Sequence, residues 1–403
     1  MTRLRPAHIA MVGVPAISHV LPSLDIIREL VARGHRVTYA DDFDAPRIAD
    51  AILPTGAEPV RFRSTLPVGP DASWPDDPIA AMTLFRDDAI GALEQIAPFY
   101  EQHPADLYLY DIGGYAARVL AERQSRPLVQ LSPTFTGWEP GPEAPDVLDG
   151  IRALPGADAY EAGFRDWLVR EGATTTDPWQ FSGVPPRCVA TVPRAMQPFA
   201  DHVDDKRITF TGPCLAGRER EERWERPAAA AGKKLLLVSL GSAYTDRPEF
   251  YRSCLAAFGP LSDWYVVLQI GTHVDAAALG PLPENVEVHR WVPQLAVLRK
   301  ADAFVTHAGM GGSAEGLYCG VPMIAVPQDV DQFANADRLV ELGVARRVDT
   351  ADATPEALRA ALLALTGDRD VAARTADLRA QARAEGGTAR AVELIEAELP
   401  DAR

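Results

Sequence analysis

The stretch His307-Ala308-Gly309-Met310-Gly311-Gly312-Ser313-Ala314-Glu315-Gly316 follows a short apolar run, Ala303 to Thr306, and opens a helical segment ending near Gly320. Glycines and a serine at a helix N-terminus leave backbone N–H groups without intrahelical partners, at the positive end of the helix dipole. A phosphate or diphosphate needs such a place, and His307 and Ser313 add side-chain donors. The same residues fit a dinucleotide fingerprint, with Gly309, Gly311 and Ala314 at G-x-G-x-x-A spacing, so a nicotinamide-linked oxidoreductase stays open as an alternative. That motif normally opens the first strand–helix unit of its fold, whereas this one lies deep in the second half. The acidic residue wanted about 20 positions later is met only loosely by Asp329.

Two further loops accompany this cradle. Trp291-Val292-Pro293-Gln294 comes just after a run ending at His289, and Pro327-Gln328-Asp329-Val330-Asp331-Gln332 just after a run ending at Val326. An indole beside a phosphate cradle can stack on a flat nucleobase, and neighbouring carboxylate and amide groups can bracket sugar hydroxyls. Asp42-Phe43-Asp44 and Asp329-Val330-Asp331 have the Asp-x-Asp spacing with which transferases of a different fold hold a divalent ion. One pair follows a strand of the other half and one belongs to the sugar-bracketing loop, so no metal site is expected and the helix terminus takes its place. Gly311 to Glu315 misses a nucleophile elbow, which needs glycine where Glu315 stands, and Gly232-Lys233 lacks the upstream glycine of a P-loop.

The elements that must position these groups alternate between strand and helix. His8 to Val14 predicts a buried parallel strand, and Pro22-Ser23 predicts a helix start, with Leu24, Ile27 and Leu30 or Val31 on one face. Gly34 predicts a left-handed stop, and Arg36 to Ala40 the next strand. Asp106 to Tyr110 and Pro127 to Leu131 read as later strands around a helix from Tyr115 to Arg123. Arg–Glu alternation, Pro227 and four alanines between Gly212 and Gly232 read as a solvated linker. Beyond it, Lys233 to Gly241, Val266 to Ile270, Val286 to His289, Ala303 to Thr306 and Met323 to Val326 form a second strand-led series. Two doubly wound α/β domains facing across a cleft are implied, with ligands held by loops beyond the carboxyl ends of strands.

The chain has 403 residues, enough for two or three domains. Its 47% hydrophobic and 24% charged residues are ordinary for a globular protein with a sizeable core. A net charge of −16 disfavours nucleic acid and anionic membrane faces as partners. Cys188, Cys214, Cys254 and Cys319 form no C-x-x-C pair, which disfavours a zinc site or disulfide framework and fits buried thiols in a reducing cytosol. Arg3 and Arg5 before the apolar stretch Ala7 to Ile17 imitate a secretion signal, but His8 and Pro15 interrupt it and a patterned helix follows. No apolar run approaches the ~20 residues that cross a bilayer, and a cytoplasmic protein is expected.

Trp291-Val292-Pro293-Gln294, His307 to Ser313 and Asp331-Gln332 resemble the donor-binding signature of family 1, GT-B-fold glycosyltransferases that use UDP-sugars. The wider chain, from His8-Ile9-Ala10-Met11 through Arg28 to His35 and on to Val392 to Pro400, resembles the actinobacterial macrolide glycosyltransferases over nearly its whole length. The resemblance implies that Trp291 stacks on uracil, with main-chain contacts from Val292, Gln294 near the ribose, and Glu315 accepting from ribose hydroxyls. It implies that His307, Gly311, Gly312, Ser313 and Ser242 hold the diphosphate, and that Asp331 and Gln332 fix the transferred sugar. The donor is then a co-substrate, UDP-glucose foremost, with no permanently bound cofactor.

His19, in Ser18-His19-Val20-Leu21-Pro22, and Asp111, at the end of the Asp106 to Tyr110 strand, coincide with the His–Asp dyad of that family. An imidazole near pKa ~6.5 can take a proton from an acceptor hydroxyl, and a carboxylate can hold its tautomer and steady the imidazolium. The macrolide enzymes carry His-Gly before this histidine and Asn before the proline, whereas here Ile17-Ser18 and Leu21 make a more apolar wall. The expected reaction is inverting transfer of a hexose to a hydroxyl of a hydrophobic small molecule, by resemblance a macrolide inactivated for self-resistance, with flavonoids, phenols or other polyketides as alternatives. Acceptor contacts are expected from the loop Ser64 to Pro78 with Trp74 and from the segment carrying Phe135 and Trp138. The expected division is 1–211 for acceptor and base, 212–232 as linker, 233–387 for the UDP-sugar, and a C-terminal helix, 388–403, crossing back to the first domain. A monomer or homodimer is expected, and a catalytically silent UDP-sugar-binding protein is the second rival.

Overall fold

A computed structural model describes residues 5–67, 74–242, 244–329 and 331–400. They form two sheets in which every pairing is parallel. The first contains β1 (His8–Val12), β2 (Arg36–Asp41), β3 (Glu58–Arg61), β4 (Leu107–Asp111), β5 (Leu128–Ser132), β6 (Cys188–Ala190) and β7 (Ile208–Phe210). Its spatial order is β3-β2-β1-β4-β5-β6-β7. The second contains β8 (Lys234–Ser239), β9 (Trp264–Gln269), β10 (Val286–His289), β11 (Ala303–Thr306), β12 (Met323–Ala325) and β13 (Ala345–Arg347). Its order is β10-β9-β8-β11-β12-β13.

Continuous apolar runs give such sheets because both faces are covered by helices. Along β1, Ala10 and Val12 enter one apolar cluster and Ile9 and Met11 another. In each sheet the order reverses once between neighbouring central strands, β1 beside β4 and β8 beside β11, and a crevice for ligands opens at such a reversal. Register sets the neighbours there: Val12 pairs with Tyr110, so the residue after β1 stands level with Asp111. Thr306 pairs with Ser239, which brings the His307 loop beside the loop after β8.

The residue after β1 is Gly13. A Cβ there would overlap Asp41 Oδ2 and lie 2.8 Å from Cε1 of Tyr39. Asp41 and Tyr39 are both fully buried, so neither can swing into solvent to make room. Gly13→Ala is expected to destabilise the first domain by about 1–3 kcal/mol, as overpacked cores do, seen as a lower midpoint in urea unfolding. An unchanged midpoint would mean that the crowding relaxes.

The first helix, α1 (Ile17–Ala32), starts five residues before the expected opening at Pro22, and Pro22 lies within it. The Ala16 carbonyl accepts from His19 N at 2.8 Å and Val20 N at 3.0 Å, so the first turn closes ahead of the proline. Proline then removes only the donor that would have met the Ser18 carbonyl. His19 therefore sits inside the first turn of α1, not on a loop before it. At the other end Gly34 is left-handed, φ +95.

Contacts divide the chain into two compact units: residues up to Thr191 with Phe199–Leu215 and Gly386 onward, and Val192–Pro198 with Ala216–Glu385. In the first unit, Glu396 of the C-terminal helix Gly387–Ala397 takes Arg33 Nη1 at 2.6 Å and His35 Nε2 at 3.2 Å. The stretch 212–232 differs from the expected solvated linker. Cys214 and Leu215 are buried, Ala216–Glu221 is helical, and Arg226 donates to the carbonyls of Lys233 and Lys300 at 2.6 and 3.1 Å. Of its alternating charges, Arg218, Glu219 and Glu222 make ion pairs rather than serving as a hydrated spacer. All four cysteines are buried free thiols, and among the described residues no helix is long and apolar enough to cross a membrane.

Candidate functional site

In the first unit, His19 Nδ1 and Asp111 Oδ1 are 2.9 Å apart. Asp111 is nearly buried, with 3% of its side chain exposed, against 25% for His19. A carboxylate so placed accepts the Nδ1 proton and makes Nε2 the basic nitrogen. Met11, Pro22, Ser23, Leu131, Pro133 and Thr191 line the recess around the pair. The neighbouring Asp41 carboxyl is pushed well above the usual carboxylate range, by burial first and by the charges of Asp111, Asp42 and Asp88 after it.

The expected acceptor residues are placed unevenly. Trp74 is 39% exposed and its ring lies 5.4 Å from Phe85. Phe85 reaches the vicinity of Asp111, since a Cβ on Gly113 would sit 2.8 Å from its ring. Phe135 is half-buried, and residues 68–73 of the same expected pocket lie outside the described residues. Trp138 is engaged by its own domain: Nε1 donates to the Pro145 carbonyl at 3.1 Å and the ring packs 5.1 Å from Phe199. That spends its polar handle and one face on packing, which counts against a contact with acceptor.

In the second unit, the helix Met310–Cys319 begins directly after the His307 loop. Ala308 is left-handed at φ +61, a strained state for alanine, with its N–H on Thr306 Oγ1 at 3.1 Å. Helical bonding starts at Ser313 N, which donates to the Gly309 carbonyl at 3.0 Å. The amides of Met310, Gly311 and Gly312 precede that bond, and beside Gly311 there is open space. Ser313 Oγ and His307 Nδ1 are buried polar atoms without a hydrogen-bond partner. Dense packing lowers the His307 pKa to about 4, so its imidazole is neutral. Gly241 and Gly309 make room for the ring: a Cβ on Gly241, itself left-handed at φ +76, would lie 2.5 Å from Cε1. Ser242, the next residue, is exposed.

Trp291 is 52% exposed after β10. The Val292 amide is already used, donating to Gln269 Oε1 at 3.0 Å, so a base would find only the carbonyl of that residue. Gln294 Nε2 donates to Glu315 Oε2 at 2.9 Å, and Glu315 is buried and also paired with Arg218. Asp331 receives Asn335 Nδ2 at 2.9 Å. Gln332 is buried with its carbonyl oxygen on the amides of Gln328 and Asp329, at 2.9 and 3.3 Å, leaving its NH₂ as the group for a ligand. Thus Trp291 and His307 stand just beyond the carboxyl ends of β10 and β11, and Gln294, Ser313 and Glu315 in the helices that follow, while Val292 and Gln332 have lost one polar group each to internal bonds.

Gln269 is a bracing residue behind the candidate site that sequence reasoning missed. It is buried, and its Nε2 donates to Ser239 Oγ and the Gly241 carbonyl, both at 3.1 Å, while its Oε1 holds Val292. One side chain therefore ties the loop after β8 to the loop after β10. The signal was a polar residue closing an apolar run, Trp264 to Gln269. Arg247, on Gln328 Oε1 at 3.0 Å, joins the loops after β8 and β12 in the same way. For the Asp-x-Asp pairs, Arg63 reaches Asp44 at 2.9 Å and Asp42 at 3.6 Å, and among the described residues no group of three or more His, Cys, Asp or Glu converges as metal ligands would.

Residues 254–397 match the family described as erythromycin biosynthesis protein CIII-like, C-terminal domain. The oleandomycin glycosyltransferase of Streptomyces antibioticus is 52% identical, over 99% of this chain and 92% of its own length. The NDP-glycosyltransferase YjiC of Bacillus licheniformis is 33% identical over 98% of each. Among solved structures, the glycotransferase of kitacinnamycin is 51% identical with a TM-score of 0.87, covering 98% of this chain and 100% of that one.

Proposed function

Since the chain belongs to the family 1, GT-B-fold glycosyltransferases of the macrolide type, we propose that it transfers a hexose, glucose foremost, from a UDP-sugar to a hydroxyl of a hydrophobic small molecule with inversion. Membership sets aside the oxidoreductase reading of Gly309, Gly311 and Ala314. The observation that carries the proposal is the 2.9 Å bond between His19 and Asp111.

In this mechanism His19 Nε2 takes the acceptor's hydroxyl proton as the oxygen attacks the anomeric carbon from the face opposite UDP. The new C–O bond forms as the bond from that carbon to the β-phosphate oxygen breaks, and UDP leaves with the electron pair. The proton stays on the imidazolium, which Asp111 steadies. On the donor side, Trp291 stacks on uracil, the Val292 carbonyl meets the base, and Gln294 and Glu315 hold the ribose. His307, Ser242, Ser313 and the amides of Gly311 and Gly312 receive the diphosphate, and Asp331 with the Gln332 amide holds the hexose. Fixed dipoles aimed at the departing charge are worth several kcal/mol and need no reorganisation during the reaction. They also do the work for which other transferases use a divalent ion, so none is required here.

The name of the oleandomycin enzyme favours a macrolide acceptor. The test is mass spectrometry of purified protein with UDP-glucose or dTDP-glucose and a panel of macrolides, flavonoids and phenols, with and without EDTA. The expected product carries one added hexose, forms in EDTA, and shows the large anomeric proton coupling of a β-glucoside. An α-glucoside would sink the inverting mechanism, and no product with any pair would favour the silent binding protein.

A further inference from the structure

Arg218 lies in the stretch whose charges suggested a hydrated spacer, yet it makes two ion pairs inside the second unit. Its Nη1 pairs with Glu315 Oε1, and its Nε donates to Glu222 Oε1 at 2.6 Å. Glu222 Oε2 in turn accepts from Ala296 N at 3.3 Å, capping the start of the helix Gln294–Leu298. Gln294, the first residue of that helix, closes the circuit by donating to Glu315 Oε2 at 2.9 Å. Glu315 and Gln294 come from two different helices, and one guanidinium braces both: the first directly, the second through the capping carboxylate. A planar fork with fixed donor directions suits this bridge, which a lysine's single ammonium could not span.

A carboxylate has about four lone-pair sites, and the bonds to Arg218 and Gln294 use two of them. The others can take hydroxyl protons. We propose that Arg218 is a positioning residue for nucleotide recognition: it touches no ligand, but fixes the rotamer of Glu315 and the start of the Gln294 helix so that both meet the ribose diol. This rests on the reading that Glu315 accepts from the ribose hydroxyls. Its consequence is that discrimination for a ribonucleotide over a 2′-deoxyribonucleotide depends on a residue outside the donor loops.

The experiment is calorimetric titration of the full-length protein with UDP and with 2′-deoxy-UDP, read as the ratio of the two dissociation constants. The ratio is insensitive to the fraction of protein that is folded. The parent should prefer UDP by about tenfold, the size of one charge-assisted hydrogen bond. Glu315→Gln and Arg218→Met should each bring the ratio close to one, and the double variant should go no further. If Arg218→Met kept the parent ratio while Glu315→Gln lost it, Arg218 would have no positioning role and the ribose reading would stand. If Glu315→Gln kept the parent ratio, the ribose reading would fail and the proposal with it. Additive losses in the double variant would also overturn the coupling. Should Arg218→Met not fold, Arg218→Gln, smaller in its perturbation, is judged by the same ratio.

Discussion

Replacing His19 with alanine is expected to lower kcat by about a thousandfold, within the range that a positioned general base contributes, and to leave UDP affinity unchanged. His19 occupies the first turn of α1 with a quarter of its side chain exposed, and alanine is the best helix former, so the variant should fold. The residues proposed to hold UDP all belong to the other unit, which separates binding from proton removal. Asp111→Asn should lose most of the same factor by a different route. An asparagine can offer its NH₂ where the carboxylate accepted, stabilising the tautomer whose Nε2 carries the proton and cannot act as a base. Single-turnover kinetics with saturating UDP-glucose would read both effects. His19→Ala turning over at the parent rate would remove His19 from the mechanism, and Asp111→Asn at the parent rate would reduce Asp111 to a packing residue.

The His307 segment of the second unit was legible as a strand end, a turn and a helix start because those signals are written locally. Strand β11 followed at once by His307, three glycines and a serine specifies a strand end, a tight turn and a helix start without long-range information. His19 was legible as a candidate base, but its setting was not: Pro22 looks like a helix opening, and only the bonds from Ala16 to His19 and Val20 place the start five residues earlier. Local signals also fail where a residue's partner is far away in sequence. Arg218 meets Glu315 across 97 positions and Gln269 meets Val292 across 23, so the first looks like a solvated charge and the second like the ragged end of a strand. Trp138 fails in the opposite direction, since an aromatic in a loop suggests a ligand until Pro145 and Phe199 are found against it. What remained hidden was therefore the bracing behind the site.

Acidification is expected to weaken the second unit through His307. Its folded pKa of about 4 lies below the ordinary 6.5, so the unfolded chain takes up a proton that the folded one refuses. Stability that is complete above pH 6.5 is then lost as pH falls toward 4, to a total of about 3 kcal/mol if the full shift is realised. The parent protein alone would not isolate this slope. Burial raises Glu385 in the same unit to about 7, and that group works in reverse, stabilising at low pH and losing its contribution as pH rises through 7. The difference between parent and His307→Asn removes the Glu385 effect, which both share. The variant should be the less stable protein at pH 7, having disturbed a ring fitted between Gly241 and Gly309, and should gain on the parent steadily from pH 6.5 to 4 in urea unfolding. Parallel curves across that window would show the ring to be protonated as easily in the folded state as in water. In that case a bound diphosphate could draw a proton onto His307 near neutral pH. A neutral ring must instead meet it through an N–H bond, and any tightening of UDP that comes from protonating the ring should appear as pH falls toward 4, where the bound anion draws a proton onto the imidazole.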